Sequence, residues 1–316
     1  MKNYSNIFKP NLKNLIKCSK ILRNHGVCAL PTETVYGLAG NAYSNKAVRN
    51  IYKLKKRPKK NPLIVHFDSL KSIKKETENN NYLAKIYKKY SPGPITYVLK
   101  LKKNSRISRI LINKNGTVAC RVPANIHFRK IIKLSGSPLA APSANISNHV
   151  SPTSSLDVYD EFKNKIRFIL DGKQSKVGIE STVINLVGKT KVLRPGKISK
   201  KNIEKIIKNI STNKSKEILS PGQLKKHYSP GIPVYLNKNK SKSKGALLVF
   251  GKTKMKGKNI FYLSKKRSLE EAAKNLYKKL REIKKKGFKN ISITKIPNKD
   301  IGIAINDRLK RASTWK

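Results

Sequence analysis

The residues of this chain that could do chemistry are cations and hydroxyls, placed where predicted strands end or turn. They comprise four cations and four hydroxyl or amide side chains in loops of small residues: Lys55, Arg57, Arg121, Arg194, Ser143, Asn145, Ser151 and Ser181. Cations and hydroxyls together hold phosphates and carboxylates through charge-assisted hydrogen bonds. The set favours a site for a triphosphate beside a carboxylate, as in phosphoryl or nucleotidyl transfer, where positioning and electrostatics do most of the catalysis.

The stretch from Leu30 to His66 holds the densest part of this set. A strand over 27–30 is predicted to end at Pro31, because proline has no backbone donor and a fixed φ. The hydroxyls of Thr32, Thr34 and Tyr36 then follow at a strand end, where α/β folds usually bind ligands. Further on, crowded cations precede a buried-looking strand over 63–67, and a bound polyanion would relieve their repulsion: Lys55, Arg57, Lys59 and Lys60.

Several enzyme classes are excluded by missing signatures. The sequence has no G-x-x-x-x-G-K-[ST], G-x-G-x-x-G, H-E-x-x-H or G-x-S-x-G motif. Its five histidines are scattered, so neither a metal-ligand cluster nor a histidine-based triad is expected.

The cysteines and the hydropathy pattern predict a soluble, cytoplasmic protein without a membrane partner. Cys18, Cys28 and Cys120 are odd in number and form no C-x-x-C, which favours buried thiols in a reducing compartment. No apolar run approaches the roughly 20 residues that a membrane span needs, and the N-terminus has no signal-peptide core.

The net charge of +56 has two explanations. A strongly basic chain suggests a polyanionic partner such as RNA. Alternatively, the composition is biased, because only 13 of the 72 cationic residues are arginine, and lysine, asparagine and isoleucine rise together in AT-rich coding sequences. The charge is also spread out, since residues 233–316 hold 25 Lys and Arg against 5 Asp and Glu and the remainder is strongly basic too. No single nucleic-acid patch is predicted.

Alternating helix and strand patterns predict an α/β protein of two units. In the first unit we expect helices over 11–25, 46–55 and 125–134, a strand after the turn at 92–94, and strands over 27–30, 63–67, 117–122, 167–171, 180–187 and 191–194. One helix and then a polar linker are predicted over 197–219. In the second unit we expect strands over 232–236, 245–250, 259–263 and 290–296 and helices over 269–286 and 301–312.

Local signals refine these elements and divide the chain. Asn45 is the expected N-cap of its helix, and Ser268 with Glu271 forms an expected capping box. The polar segment 71–81 is predicted to be a loop leading into a helix. We divide the chain into a catalytic unit over 1–210, a linker over 211–232 and a small α/β unit over 233–316.

Each candidate site residue also has a purely structural interpretation. Lys55 and Arg57 could form a solvated helix end, and Arg121 and Arg194 could belong to structural ion pairs. Further alternatives are turn formers, a satisfied core histidine and an ordinary linker aromatic, at Ser143, Asn145, Ser147, His66 and Tyr228.

Taken together, the motifs of this chain resemble those of the YrdC-type threonylcarbamoyl-AMP synthases. The matching stretches cover nearly the whole chain: P-T-E-T-V-Y-G-L (31–38), K-x-R-P-x-x-N-P-L (55–63), P-G-P (92–94), R-V-P (121–123), P-L-A-A-P-S-A-N-I-S (138–147), S-P-T (151–153), G-I-E-S-T-V (178–183) and L-R-P-G (193–196). The later S-P-G-x-x-x-x-H-Y-S-P (220–230) and the second unit are similar to the long form of this family.

This resemblance implies a twisted open mixed sheet, of the YrdC-like kind, with a concave positive face. It implies an L-threonylcarbamoyladenylate synthase that converts L-threonine, bicarbonate or CO₂, and ATP into threonylcarbamoyl-AMP and pyrophosphate. The product would feed the modification of adenosine 37 in tRNA through a downstream tRNA threonylcarbamoyl transferase. Mg²⁺ is expected to arrive on the ATP phosphates, since no carboxylate pair suggests a protein site.

The resemblance also implies roles for individual residues. Threonine would be surrounded by Thr34, His66, Arg121, Ala141 and Ser181. ATP would be held by Arg57, Asn61, Thr117, Ser143, Ser151, Arg194 and Tyr228. A catalytic set would be formed by Lys55, Arg57, Ser143 and Asn145, and the linker carrying Tyr228 would fold over the cavity as a lid.

The chain departs from the family pattern at three positions. Lys56 replaces the usual Gly between Lys55 and Arg57, and Ser91 replaces an aromatic before P-G-P. Asn148 stands near the place where Gly often follows Asn-x-Ser.

Two other functions remain open. One alternative function is a non-catalytic RNA-binding or ribosome-assembly role. The other is a carbamoyl-phosphate-handling module, although the zinc-finger cysteines expected there are missing.

Overall fold

The computed structural model describes residues 4–58, 61–208, 210–211 and 227–314, which form two sheets with flanking helices. The strands of the first sheet are β1 (Ile7–Phe8), β2 (Cys28–Leu30), β3 (Gly37–Asn41), β4 (Ile64–His66), β5 (Ile95–Lys100), β6 (Thr117–Arg121), β7 (Leu139–Ala140), β8 (Ile169–Leu170), β9 (Thr182–Asn185) and β10 (Lys191–Arg194). The helices of this unit are α1 (Leu12–Arg23), α2 (Asn45–Lys55), α3 (Leu70–Glu76), α4 (Leu83–Tyr90), α5 (Ile126–Ser135), α6 (Ser155–Phe162) and α7 (Lys200–Glu204). Short 3₁₀ turns lie at Arg109–Leu111 and Lys163–Lys165.

The first sheet is mixed. Its order is β1-β8-β2-β3-β7-β4-β6-β5-β9-β10. Strand β4 runs parallel to β6 and antiparallel to β7, and β5 runs antiparallel to β6 and parallel to β9. The second sheet is parallel throughout. The predicted fold class, a mixed α/β sheet with a second and smaller α/β unit, is confirmed.

The register of β4 and β6 determines which side chains share a face. Ile64 pairs with Ala119, and His66 pairs with Arg121. Because side chains alternate along a strand, these four point to one face of the sheet. Their neighbours on the opposite face, such as Cys120, belong to the main apolar core. Polar and charged residues therefore gather on one face of the central strands.

The second unit is smaller and packs against the first. It contains β11 (Val234–Leu236), β12 (Gly245–Phe250), β13 (Ile260–Ser264), β14 (Asn290–Ile293), α8 (Leu269–Lys285) and α9 (Ile301–Ala312), with sheet order β11-β14-β12-β13. Val150 and Ile179 of the first unit share a buried apolar cluster with Leu276 of α8 and Ile305 of α9. The boundaries at 210 and 232 stay a prediction, and residues 212–226 lie outside the described part of the chain.

The structure corrects several predicted elements. The N-cap of α2 is Ser44, whose side chain accepts from the Ala47 N–H, and Asn45 is the first helical residue. The polar segment 71–81 is largely helix α3, whose burial of Ile73 outweighs its lysine content. The capping box of α8 is incomplete, because Glu271 accepts from the Ser264 hydroxyl instead of closing back on Ser268.

Two further differences concern the extent and number of the helices. Helix α6 was not predicted, although Ser154 and Asp157 form a capping box at its start. Within 197–219, the described helix is α7, which is five residues long, and residues 209 and 212–226 lie outside the described part. No helix in the ranges described is both long and apolar enough to cross a membrane.

The contact between Gly178 and α8 yields a test of how the units pack. A Cβ at Gly178 would lie 2.4 Å from Lys274 Cα and 2.6 Å from the Ala273 carbonyl oxygen. Gly188 has a similar positive φ but nothing within 4 Å of such a Cβ, so it isolates the backbone strain. We expect Gly188→Ala to lose about 1–2 kcal/mol of unfolding free energy and Gly178→Ala to lose about 2 kcal/mol more through overpacking.

Chemical denaturation of both variants measures this difference. Equal losses for Gly178→Ala and Gly188→Ala would contradict the close approach of the turn to α8.

Candidate active site

The candidate site is built on the face shared by β4, β6 and their neighbours. Ile64, Val98, Ala119 and Val183 form a small buried apolar cluster on that face. One further step along β4 and β6, alternation places His66 and Arg121 beside this apolar floor. The site therefore lies on the face of the sheet, and not only at a strand end as the position of the hydroxyls suggested.

A cavity on this face collects many of the predicted site residues. It is lined by these predicted residues: Thr34, Arg57, His66, Arg121, Ala141, Ser143, Arg194 and Tyr228. The space between the side chains is about 40 Å³. That volume holds a few water molecules, since one needs roughly 10–15 Å³.

Two of the cavity arginines are held by backbone carbonyls. Arg57 donates from Nε to the Asn61 carbonyl at 2.9 Å and from Nη2 to the Pro62 carbonyl at 3.0 Å. Arg194 donates from Nε to the Ser181 carbonyl and from Nη2 to the Ser181 hydroxyl, both at 3.0 Å. Burial lowers the pKa of Arg57 to about 10. Both groups are thus fixed cations beside the cavity, suited to an anionic ligand.

The third arginine, Arg121, is paired with a carboxylate that sequence reasoning missed. Its Nη2 donates to Glu33 Oε1 at 2.7 Å, and its Nε donates to the Gly93 carbonyl at 3.2 Å. Glu33 also accepts from the Ala124 N–H at 3.1 Å. A substrate carboxylate at Arg121 must therefore share the guanidinium with Glu33. Glu33 could have been noticed in the sequence as the acidic residue of the P-T-E-T-V-Y-G-L motif.

Lys55 and Asn145 lie behind the cavity wall and support the loop that carries Ser143. The Lys55 ammonium donates to the Ser143 carbonyl at 2.5 Å and to the Asn145 carbonyl. Burial and then the nearby Arg57 lower the pKa of Lys55 well below its usual value. Asn145 donates from Nδ2 to the Ile146 and His149 carbonyls, both at 2.8 Å. In this arrangement neither side chain lines the cavity.

Asn61 and Thr117 lie at the other end of the same strands. Asn61 precedes β4, and Thr117 begins its parallel neighbour β6. The Thr117 hydroxyl accepts from Asn113 Nδ2 at 2.6 Å. At about 3.3 Å per residue, Thr117 is roughly 13 Å from Arg121 along β6. The structure does not bring Thr117 to the cavity, so one ligand can touch both residues only if it extends along the strand.

Ser151 and Ser181 both lie next to Glu180, the first through a hydrogen bond and the second as its neighbour in the chain. Ser151 donates to Glu180 Oε1 at 2.6 Å, and the Ser181 hydroxyl is 2.8 Å from the Thr96 hydroxyl. Glu180 itself lines the cavity. Burial raises the pKa of Glu180, but Arg308 and Arg194 outweigh it and lower that pKa to about 2. Sequence reasoning missed Glu180, although it stands in the G-I-E-S-T motif.

Two buried histidines line the cavity in neutral form. Burial and then the Arg121 charge lower the pKa of His66 to about 3, and burial lowers the pKa of His227 to about 3. The ring of His66 contacts Phe128 at 5.1 Å between centroids. Its Nδ1 has no hydrogen-bond partner within the described part of the chain. Because His66 lines the cavity, a neutral ring nitrogen there can accept a hydrogen bond from a ligand hydroxyl or ammonium.

Metal-ligating side chains do not form a cluster among the described residues. These residues contain no group of three or more histidine, cysteine, aspartate or glutamate side chains able to hold a metal. Of the carboxylates beside the cavity, Glu33 is paired with Arg121 and Glu180 with Arg308. The source of the ligands for Mg²⁺ stays a prediction.

Two family profiles cover most of the chain. One, named for Sua5, YciO and YrdC and described as telomere recombination, matches residues 20–196, and the threonylcarbamoyl-AMP synthase C-terminal domain matches 198–314. The chain belongs to the threonylcarbamoyl-AMP synthase family. The resemblance inferred from the motifs, including the long form with a second unit, is thereby confirmed.

Members of the threonylcarbamoyl-AMP synthase family are similar over nearly their whole length. The threonylcarbamoyl-AMP synthase of Pyrococcus abyssi is 37% identical, over 93% of this chain and 92% of its own. That of Bacillus subtilis is 32% identical, over 96% and 94%. The crystal structure of P. abyssi Sua5 complexed with L-threonine matches with a TM-score of 0.88 and 32% identity, over 98% of this chain and 97% of that one. The roles of single residues stay predictions.

The buried neutral His66 generates a prediction about pH and stability. Its folded pKa is about 3, below the ordinary value of 6.5. The unfolded chain therefore takes up a proton below pH 6.5 that the native state does not, and stability falls as pH falls. Between pH 7.5 and 5 this residue should remove about 2 kcal/mol of unfolding free energy.

Urea denaturation at both pH values should show a loss smaller by about that amount in His66→Gln. His25→Asn, at an exposed left-handed position, is the matched control and should keep the wild-type loss. Identical losses in His66→Gln and wild type would contradict the neutral buried state.

Proposed function

We propose that this chain condenses L-threonine, bicarbonate or CO₂, and ATP into threonylcarbamoyl-AMP and pyrophosphate. The observation that carries the proposal is the convergence of Arg57, Arg121 and Arg194 on one buried cavity over an apolar floor. Three guanidiniums around one space favour an anionic substrate, even though Glu33 pairs with Arg121. Membership of the threonylcarbamoyl-AMP synthase family supports the same reaction.

We place threonine at the Arg121 end of the cavity. Arg121 can bind the threonine carboxylate alongside Glu33, and neutral His66 can accept from the hydroxyl or the amine. Thr34 and Ala141 border the same space, and Ser181 lies behind it on Arg194. In this placement the neutral threonine amine forms a bond to the carbon of CO₂ and releases a proton to solvent, or forms a bond to the carbon of bicarbonate with loss of water, and gives a carbamate.

We place the ATP phosphates at the Arg57 and Arg194 end. A carbamate oxygen attacks the α-phosphorus, the bond to the β-phosphate oxygen breaks, and pyrophosphate leaves with the electron pair. Arg57 and Arg194 stabilise the charge that develops on the phosphates, because they are already oriented by carbonyl acceptors. Ser143 and Tyr228 border the same end, and Ser151 stands behind Glu180. Mg²⁺ enters as part of the MgATP substrate.

The remaining nucleotide residues fit an extended ligand. Thr117 lies at the start of β6, so it can contact ATP only at its nucleoside end, whereas Asn61 lies beside Arg57, whose Nε donates to its carbonyl. The product is a mixed anhydride, which requires a nucleophilic acceptor and protection from water. We therefore propose that a tRNA threonylcarbamoyl transferase consumes it, in the cytoplasm, for modification of adenosine 37. Three buried free thiols support a reducing compartment: Cys18, Cys28 and Cys120.

A purely RNA-binding function does not fit the burial of these three arginines. Arg57, Arg121 and Arg194 are 8%, 3% and 3% exposed, so they cannot lie against the backbone phosphates of an RNA helix. Phosphate contacts that give non-specific RNA affinity come from accessible cations. The buried set therefore favours a small enclosed anion.

Threonine-dependent turnover tests the proposed reaction. With labelled bicarbonate, threonine and ATP, the wild type should form a labelled adenylated carbamate and release pyrophosphate. Arg57→Ala and Arg121→Ala should each lose about 100-fold or more in kcat/KM, the scale for removing one oriented donor from a charged transition state. Arg49→Ala, on the exposed face of α2, removes the same charge and should keep wild-type activity. Pyrophosphate release at an equal rate without threonine would refute the assignment.

Binding measurements separate the two ends of the cavity. Titration calorimetry of Arg121→Ala should show at least about a tenfold weaker Kd for threonine, equivalent to about 1.4 kcal/mol, and a smaller change for MgATP. Arg57→Ala should show the reverse preference, because its guanidinium lies on the phosphate side. Equal losses for both ligands in both variants would contradict the placement.

A further inference from the structure

Two side chains of the second unit reach the wall of the catalytic cavity. Arg308 of α9 is 1% exposed and donates from Nε to Glu180 Oε2 at 3.1 Å. Tyr277 of α8 donates from its hydroxyl to the same oxygen at 2.9 Å. Neither residue lines the cavity, but both hold the one carboxylate that does among the described lining residues.

Arg308 is also close to three residues predicted to bind the nucleotide: Ser151, Arg194 and Tyr228. Through Glu180 it is joined to Ser151, whose hydroxyl donates to Oε1. Its Nη1 donates to the carbonyl of Pro195, the residue after Arg194, at 2.6 Å. Its guanidinium carbon lies 5.6 Å from the centre of the Tyr228 ring. One side chain of the second unit thus contacts Glu180, the turn after Arg194 and the Tyr228 ring.

The negative charge of Glu180 affects how this site can bind the ATP phosphates. A carboxylate facing a triphosphate repels it, and a buried charge left without a partner is costly. Arg308 forms the salt bridge of Glu180, whereas Arg194 directs its Nε and Nη2 to Ser181. Without Arg308, the Glu180 charge would face the phosphates with less compensation.

We propose that Arg308 is a positioning residue for the nucleotide: it neutralises Glu180 and fixes Ser151 and the turn after Arg194, so that the second unit completes an ATP site it does not line. This inference rests on the proposed function and deepens it. The threonine end is built differently, because Arg121 and His66 contact Glu33, Gly93 and Phe128 of the first unit. Loss of Arg308 should therefore affect ATP and spare threonine.

The test compares Arg308→Gln with Arg311→Gln, a matched charge removal one turn further along α9. Arg311 bonds to Asp307 on its own helix, and Asp307 also accepts from Arg308 Nη1 at 3.1 Å, a contact that the control variant keeps. We expect Arg308→Gln to raise the KM for ATP at least about tenfold, as an uncompensated buried carboxylate implies, while the Kd for threonine stays within about twofold by calorimetry. Arg311→Gln should match the wild type in both. Equal ATP values for the two variants would overturn the inference.

Rescue distinguishes charge compensation from simple packing. The double variant Glu180→Gln/Arg308→Gln has no unpaired carboxylate, so it should recover most of the ATP affinity lost in Arg308→Gln. If Arg308→Gln does not fold, the double variant carries the test alone: folded, with an ATP KM within about threefold of wild type, it supports the inference. A folded double variant that binds threonine normally but has lost ATP overturns it.

The wild-type assay keeps this inference separate from the proposed function. A wild type without threonine-dependent pyrophosphate release counts against the function itself. A wild type that turns over, with Arg308→Gln indistinguishable from Arg311→Gln, counts against the role of Arg308 only.

Discussion

The burial of three guanidiniums around one small space is the constraint on which the rest of this structure depends. Arg57, Arg121 and Arg194 are each held by at least one backbone carbonyl, so their direction is set before any ligand arrives. Preorganised donors cost no reorganisation when charge develops on a reacting group. The apolar floor of Ile64 and Ala119 beneath them lowers the local dielectric and strengthens every charge interaction in the cavity.

Carboxylates moderate this charge at each end of the cavity. Glu33 pairs with Arg121 at the end assigned to threonine, and Glu180 pairs with Arg308 at the end assigned to ATP. The first pair lies within one unit, whereas the second joins the two units through buried groups. The apolar contacts of Val150 and Ile179 with α8 and α9 hold that joint together. The second unit therefore belongs to the architecture of the site rather than being an independent appendage.

Much of the fold class and the chemical character of the site could be predicted from sequence, because local motifs carry them. Arg57, Arg121 and Ser143 stand in compact motifs, and the structure brings them to one cavity. The partners Glu33 and Glu180 were missed since pairing at separations of 88 and 128 residues leaves no local pattern. The role of Thr117 stays a prediction, because the sequence predicts its strand but not which end of that strand meets the ligand.

A crystal structure with L-threonine and a non-hydrolysable ATP analogue tests the central claim most directly. The account predicts the threonine carboxylate on Arg121, the phosphates between Arg57 and Arg194, and the nucleoside extending toward Asn61 and Thr117. A nucleotide bound elsewhere, with none of these arginines in contact with either ligand, would contradict it.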